Sequence, residues 1–162
     1  MILGTANPAL SMRGHQQART LAGQIGSIGP VQAIYASPLR RALQTASYLL
    51  DPWVDFTVLR DLREISYGPW DGLTWEEVRA LDPQLARRKA DNWLDVDVPG
   101  AEPWNAFAAR VTTAAKQILQ GPLPALVVAH QGVNAQIAHL LSGSVPTAFH
   151  QDYCEVLSYA PH

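Results

Sequence analysis

The sequence predicts an α/β fold with a mainly parallel sheet in three α/β/α layers, and a single domain over residues 1–162. Helical and strand-like patterns alternate along the chain, which is typical of parallel strands joined by helical connections. A chain of 162 residues, 48% of them hydrophobic, is long enough for one domain with a real core and too short for two comfortable ones.

Capping residues and apolar spacing predict the individual elements. Ser11 caps a helix whose apolar side chains recur at helical spacing as far as Ile28, where Gly29 and Pro30 end it. Pro38 suits the first turn of a second helix. The other predicted elements are strands over residues 31–37 and 54–59, an end of the second helix near residue 50, a loop over 61–72, one or two short helices over 74–93, an exposed turn over 97–102, a helix over 107–118, a strand over 126–129, a helix over 133–141, and a last strand over 154–159.

Composition and charge exclude several classes of function. Twelve Lys and Arg against fourteen Asp and Glu give a net charge of -2, so no field is available to hold nucleic acid or an anionic membrane non-specifically. The single Cys154 has no internal disulfide partner, and no apolar run approaches the ~18 residues of a membrane span. Residues 1–6 lack the pattern of a signal peptide, so a cytoplasmic protein is expected.

His130 is the strongest position-specific feature of the sequence. It follows the predicted strand over residues 126–129, and the chain turns through Gly132 into a helix. An imidazole beside free N–H groups at a helix N-terminus is a favourable place for a phosphate. On spacing alone, a histidine that only packs at the strand end is an equal alternative.

Arg41 is a second candidate anion ligand. A guanidinium offers a planar fork of donors that matches a phosphate dianion. Adjacent helical residues point about 100° apart, so only one of Arg40 and Arg41 can face a pocket. The alternative is that both are solvated charges near the start of a helix.

Three blocks of the sequence carry a family resemblance in their order and spacing. They are residues 37–46 (SPLRRALQTA), 62–72 (LREISYGPWDG) and 127–133 (VVAHQGV). Together they resemble the histidine phosphatase superfamily, the phosphoglycerate mutase-like enzymes. The resemblance extends from Gly4 to Tyr159 and implies the phosphoglycerate mutase-like form of the predicted three-layer fold.

The resemblance implies roles for five residues. Arg41 and His130 match phosphate ligands, with Arg40 left outside the pocket, and Gln131 stands in the phosphate-binding turn where glycine is commoner. Glu64 matches the proton donor of the family, which needs a pKa raised toward neutrality by partial burial. Glu102, in a stretch similar to Pro-Gly-Gly-Glu, is the remaining candidate for substrate binding.

One expected part of this family is absent from the sequence. In the family, catalysis depends on an Arg-His-Gly at the end of the first strand, whose histidine attacks phosphorus, and no such tripeptide occurs here. That strand lies in the middle of the parallel sheet, and residues 1–3 are too short to replace it. We therefore expect an open position in the sheet, and self-association through it is one predicted consequence.

The resemblance implies a phosphomonoester hydrolase that acts on a small phosphorylated metabolite through a phosphohistidine, without metal or organic cofactor. The remaining histidines have no metal-ligand spacing. A phosphoglycerate mutase-type activity is the alternative within the family. Because the nucleophile is missing, the form given is expected to be inactive, and a phospho-ligand-binding pseudoenzyme remains a rival. A structural protein whose open sheet recruits a partner strand is a third reading.

Overall fold

The computed structural model describes residues 1–27 and 29–160. Its sheet has three parallel strands, β1 (Ala33–Ala36), β2 (Asp55–Val58) and β3 (Ala125–Val128), with β1 in the middle. Six α-helices lie in the described residues: α1 (Met12–Ile25), α2 (Arg40–Ala46), α3 (Trp75–Leu81), α4 (Pro83–Asp91), α5 (Trp104–Leu119) and α6 (Gln131–Ser142). The predicted α/β class with a mainly parallel sheet is confirmed, and the sheet is small.

Alternating side chains of the strands bind the helical layers to the two faces of the sheet. Tyr35 of β1 packs on one face in a core with Phe107 of α5 and Val133 of α6. Ile34 points to the opposite face and packs with Leu21 of α1. Since successive residues of a strand face opposite sides, this arrangement produces the three layers.

The first two helices are shorter than the sequence predicts. The Ser11 hydroxyl accepts the Gly14 N–H at 3.1 Å, which confirms the predicted cap of α1. Helix α1 already ends at Ile25, where Gly26 closes the last turn, so the predicted end at Gly29 is wrong. Ile28 lies outside the described residues. Helix α2 begins two residues after Pro38 and ends at Ala46.

A second small core lies beneath α3 and α4. The Thr74 hydroxyl accepts the Glu77 N–H at 3.2 Å, and the Glu77 carboxylate accepts the Thr74 N–H at 2.7 Å, so α3 begins with a capping box. Pro83 starts α4 directly afterwards, so the one or two short helices predicted over residues 74–93 are two. The core contains Trp70, Val78, Ala86 and Val98.

The predicted last strand, over residues 154–159, is wrong. No strand is assigned there, and no backbone hydrogen bond joins this segment to β3 in the part of the chain that the structure describes. Cys154 and Val156 instead pack on one face of the sheet with Leu126 and Val128. A strand needs a hydrogen-bonded neighbour, and β3 pairs only with β1 among the described residues. The outer edge of β3 is therefore open.

Candidate active site

The carboxyl ends of β1 and β3 bring Ser37 and His130 together. Ser37 follows β1, His130 caps α6 just after β3, and the Ser37 Oγ lies 2.7 Å from the His130 Nε2. Both residues are buried. Burial, followed by the positive charges of Arg41 and Arg110, lowers the pKa of His130 to about 3. The imidazole is therefore neutral at ordinary pH.

Glu64 lies against the first turn of α6. Its Oε2 accepts the Gly132 N–H at 3.1 Å, and its Oε1 accepts the Ile65 N–H at 3.0 Å. Burial raises the pKa of Glu64, although these two hydrogen bonds and then the charges of Arg41 and Arg110 act in the opposite direction. A buried carboxyl with a raised pKa fits the predicted proton donor. One N–H group expected to be free for phosphate is, however, already bound by Glu64.

Arg41 is half-buried and Arg40 is exposed, which is the orientation that the family resemblance implies. The Arg41 Nη1 donates to the Ala6 carbonyl at 2.8 Å, and Nη2 donates to the Gly4 carbonyl at 3.0 Å. A guanidinium has five N–H donors. Three donors of Arg41 therefore have no partner among the described residues and can serve a ligand.

Asp71 holds the amino-terminal segment against the loop that carries Glu64. Its carboxylate accepts the backbone N–H groups of Thr5 at 3.2 Å and Tyr67 at 2.9 Å, and the Ser66 hydroxyl at 3.3 Å. Residues far apart in the chain are thus fixed side by side at one wall of the site.

Glu102 forms an ion pair with Arg110. The Arg110 Nε donates to the Glu102 Oε1 at 2.6 Å, and Nη2 donates to Oε2 at 2.7 Å. The other Arg110 donors bind the carbonyls of Asp61, Arg63 and Glu64 at 2.8, 2.7 and 3.2 Å. Arg110 thus clamps the loop around Glu64. A direct contact between Glu102 and substrate stays a prediction.

Gln131 points away from the centre of the site. Its side chain is exposed, and its Nε2 donates to the Phe149 carbonyl at 3.0 Å. Its predicted part in phosphate binding could then come only from its backbone, at the start of α6, and it stays a prediction.

Sequence reasoning missed Arg110, and a signal for it was present. The apolar stripe of α5 includes Phe107 and Val111, and Arg110 lies between them in the sequence, one helical turn from Phe107. A charged residue beside the buried face of a helix needs a partner in the interior. The identity of that partner, Glu102, follows only from the folded structure.

The described residues also limit other kinds of site. No group of three or more His, Cys, Asp or Glu residues that could hold a metal ion occurs among them. Within the same residues, the structure has no helix of the length and apolarity that crossing a bilayer requires. The cytoplasmic location stays a prediction.

Fold and site define the class of protein. In open α/β sheets, ligands bind at the carboxyl ends of the strands, and His130, Glu64 and Arg41 surround this end of β1 and β3. Residues 1–160 match the family model of the histidine phosphatase superfamily, branch 1. The chain belongs to this superfamily, as its motifs predict.

Two curated relatives are similar to this chain. A bifunctional protein of Mycobacterium tuberculosis is 36% identical over 137 residues, covering 78% of this chain and 35% of the relative. Phosphoserine phosphatase 1 of Hydrogenobacter thermophilus is 35% identical over 110 residues, covering 67% of this chain and 51% of the relative. The chain therefore spans between a third and about half of the length of these relatives.

A solved structure shows the same fold. The native structure of a mycobacterial glucosyl-3-phosphoglycerate phosphatase superposes with a TM-score of 0.75 and 27% identity. The match covers 90% of this chain and 76% of that structure. The phosphoglycerate mutase-like expectation for the fold is thus confirmed.

Proposed function

We propose that the site bounded by Arg41, Glu64 and His130 binds the phosphate of a small phosphomonoester, as part of a hydrolase that works through a phosphohistidine. The observation that carries the proposal is the opposite tuning of two neighbouring groups. Burial raises the pKa of Glu64, which favours its protonated form, and lowers the pKa of His130, whose imidazole stays neutral. Such a pair suits proton donation beside a phosphate ligand.

Each of the three residues has a distinct part in the proposed reaction. The free donors of Arg41 bind phosphate oxygens, and a neutral His130 donates one N–H to the same group. Glu64 gives its proton to the oxygen that leaves when the phosphorus–oxygen bond breaks. The bond that forms joins phosphorus to the nucleophilic imidazole, and water later releases inorganic phosphate.

The attacking imidazole is the step that the 162 residues do not supply. No Arg-His-Gly occurs in the sequence, and the Nε2 of His130 already contacts Ser37 at 2.7 Å. We therefore propose that this chain by itself binds phosphate without appreciable turnover. The missing tripeptide equally favours the second candidate function, a phospho-ligand-binding protein that does no chemistry.

Phosphatases among the similar proteins support a small phosphorylated metabolite as the ligand. One relative is a phosphoserine phosphatase, and the superposed structure is a glucosyl-3-phosphoglycerate phosphatase. These substrates are those of the similar proteins. For this chain, they motivate a panel of small phosphomonoesters in a binding and turnover assay, with mutase-type transfer as a further product to look for.

Calorimetric titration with inorganic phosphate tests the placement of the site. We expect weak binding to the wild type, and at least a tenfold loss in Arg41→Ala, since a charge-assisted hydrogen bond contributes about 1.5–3 kcal/mol. Arg40→Ala is the matched control, because its exposed side chain should change the affinity little. Identical titrations of wild type and Arg41→Ala would contradict the proposed site.

A phosphatase assay separates the two candidate functions. Phosphate release from an aryl phosphate should be negligible for the purified chain, because proton donation does not replace an attacking nucleophile. Robust release that disappears in His130→Gln would show that the chain holds a substitute nucleophile. Release unchanged in that variant would indicate a contaminating enzyme.

A further inference from the structure

The Ser37 hydroxyl lies between two nitrogen atoms in the interior of the protein. Its Oγ accepts the Leu39 N–H at 3.2 Å and lies 2.7 Å from the His130 Nε2. Ser37 has no exposed surface. Water is therefore not available to complete the hydrogen bonds of this hydroxyl.

The position of the hydroxyl proton follows from counting donors and acceptors. A serine hydroxyl has one hydrogen to donate and accepts through its lone pairs. If the His130 Nε2 also carried a hydrogen, Ser37 would accept two N–H groups and its own hydrogen would have no acceptor. No other hydrogen-bond partner of this hydroxyl occurs within the residues that the structure describes. Because a buried donor without an acceptor is costly, the hydroxyl must donate to Nε2.

The second ring nitrogen of His130 has a different environment. Nδ1 makes no hydrogen bond to any described residue. Nδ1 is also not fully enclosed, because the Ser144 Oγ is the only fully buried side-chain polar atom without a hydrogen-bond partner among those residues. Burial, and after it the charges of Arg41 and Arg110, oppose a proton on both nitrogens at once. A neutral ring with Nε2 unprotonated carries its hydrogen on Nδ1.

We propose that Ser37 is a positioning residue that fixes His130 as the neutral Nδ1–H tautomer and so presents an N–H donor to the ligand. The acceptor of that donor, a phosphate oxygen, rests on the proposed function. The tautomer itself does not. The hydrogen bond at one imidazole nitrogen thereby sets the state of the other.

Nitrogen NMR of the ligand-free chain tests the tautomer directly. Long-range proton–nitrogen correlations of histidine-labelled protein distinguish Nδ1–H from Nε2–H rings, and the signals absent from His130→Gln identify His130. We expect the Nδ1–H pattern near neutral pH. An Nε2–H pattern in the wild type would overturn the proposal without any variant of Ser37.

Two substitutions test the part played by Ser37. In Ser37→Ala the ring loses its donor at Nε2, so we expect a mixture of tautomers or a change to Nε2–H, whereas Ser37→Thr keeps a hydroxyl and should restore the wild-type pattern if the methyl group is accommodated. Ser144→Ala is the matched control, because its hydroxyl is also buried but has no hydrogen-bond partner among the described residues. A folded Ser37→Ala with an unchanged His130 pattern would overturn the proposal.

Addition of inorganic phosphate to the same samples separates the inference about the His130 tautomer from the proposal that the site binds phosphate. A shift of the His130 Nδ1 signal, with affinity reduced roughly three- to tenfold in Ser37→Ala, would support both, as expected for one hydrogen bond. An Nδ1–H tautomer that does not respond to phosphate would leave Ser37 as the positioning residue and count against the proposed ligand.

Discussion

The carboxylate of Glu64 touches the backbone of α6 at Gly132, whose N–H it accepts at 3.1 Å. The absence of a side chain at position 132 makes this approach possible, since an added Cβ would lie 2.6 Å from the Glu64 Oε1 and 3.4 Å from the Phe107 ring. The positive end of a helix favours a carboxylate. Burial nevertheless dominates and raises the pKa of Glu64. The contact therefore orients Glu64, while burial still holds its pKa above the ordinary value.

Gly132→Ala should disrupt this contact. Alanine usually stabilises a helix relative to glycine, but here the new methyl group must displace Glu64, and overpacking costs about 1–3 kcal/mol. We expect a lower free energy of unfolding in urea and weaker phosphate binding. Gly23→Ala in α1 is the control, because nothing lies within 4 Å of its Cβ position. Equal or greater stability of Gly132→Ala would show that Glu64 moves without cost.

His130 should make the protein sensitive to acid. Its pKa of about 3 in the folded state lies below the ordinary value of 6.5, so the unfolded chain takes up the proton first. The contribution of His130 to stability is complete above pH 6.5 and is lost as the pH falls toward 3, at up to about 1.4 kcal/mol per unit. Urea unfolding at several pH values should therefore show a shallower decline for His130→Gln than for wild type.

The exposed His150 provides the control for this pH experiment. Its side chain is 83% exposed, so His150→Gln should keep the acid sensitivity of the wild type. Glu64 has a raised pKa and acts with the opposite sign, since its contribution is lost as the pH rises. The contribution of Glu64 is common to the wild type, His130→Gln and His150→Gln. If the free energies of unfolding of His130→Gln and wild type changed in parallel with pH, the neutral, buried state of His130 would be contradicted.

Arg110 should matter more for stability than its neighbour Arg63. Arg110→Met removes two donors from the half-buried Glu102 carboxylate and the donors of three carbonyls. A hydrogen bond to a charged group contributes about 1.5–3 kcal/mol, so we expect a cost of about that size or more. Arg63→Met should cost about 0–1 kcal/mol, because its contact with Glu102 is 3.9 Å and its side chain is 30% exposed. Thermal and urea unfolding measure both.

A double variant separates the cost of the unpaired Glu102 charge from the cost of the hydrogen bonds that Arg110 makes to the carbonyls. Arg110→Met combined with Glu102→Leu removes both charges, so part of the lost stability should return. The carbonyls of the Glu64 loop would still lack their donor. Equal costs for Arg110→Met and Arg63→Met would contradict the clamp.

Local signals explain what the sequence predicted correctly. The Ser11 cap of α1 and the turn from β3 through His130 into α6 depend on residues close together in the chain, and these elements are confirmed. The inward orientation of Arg41 follows from helical geometry next to a family motif.

Long-range pairing explains what the sequence did not predict. Ser37 and His130 are 93 residues apart, and Arg110 binds carbonyls 46 to 49 residues away. Val156 and Tyr159 are residue types that favour a strand, but they carry no information on whether a neighbouring edge is within reach. That segment packs on the sheet without pairing.

The open edge of β3 leads to the last prediction. All four residues of β3 are half-buried, whereas those of β1 are buried, and β3 pairs only with β1 among the described residues. An unpaired apolar edge is a template for another strand. We propose that the 162-residue chain self-associates through this edge or is only marginally stable. Adding an amino-terminal apolar strand that ends in Arg-His-Gly should then raise stability and phosphatase activity together.

Short and extended chains compared side by side test this coupling. We expect the extended chain to melt higher, to run as a smaller species in sizing chromatography, and to release phosphate. Replacing the histidine of the added Arg-His-Gly by glutamine is the matched control, since it should keep the gain in stability and lose the activity. One added segment would thus supply both a paired strand and a nucleophile at its carboxyl end, where His130 and Glu64 lie. A monomeric short chain that melts as high as the extended one would show that the three-stranded sheet needs no further strand.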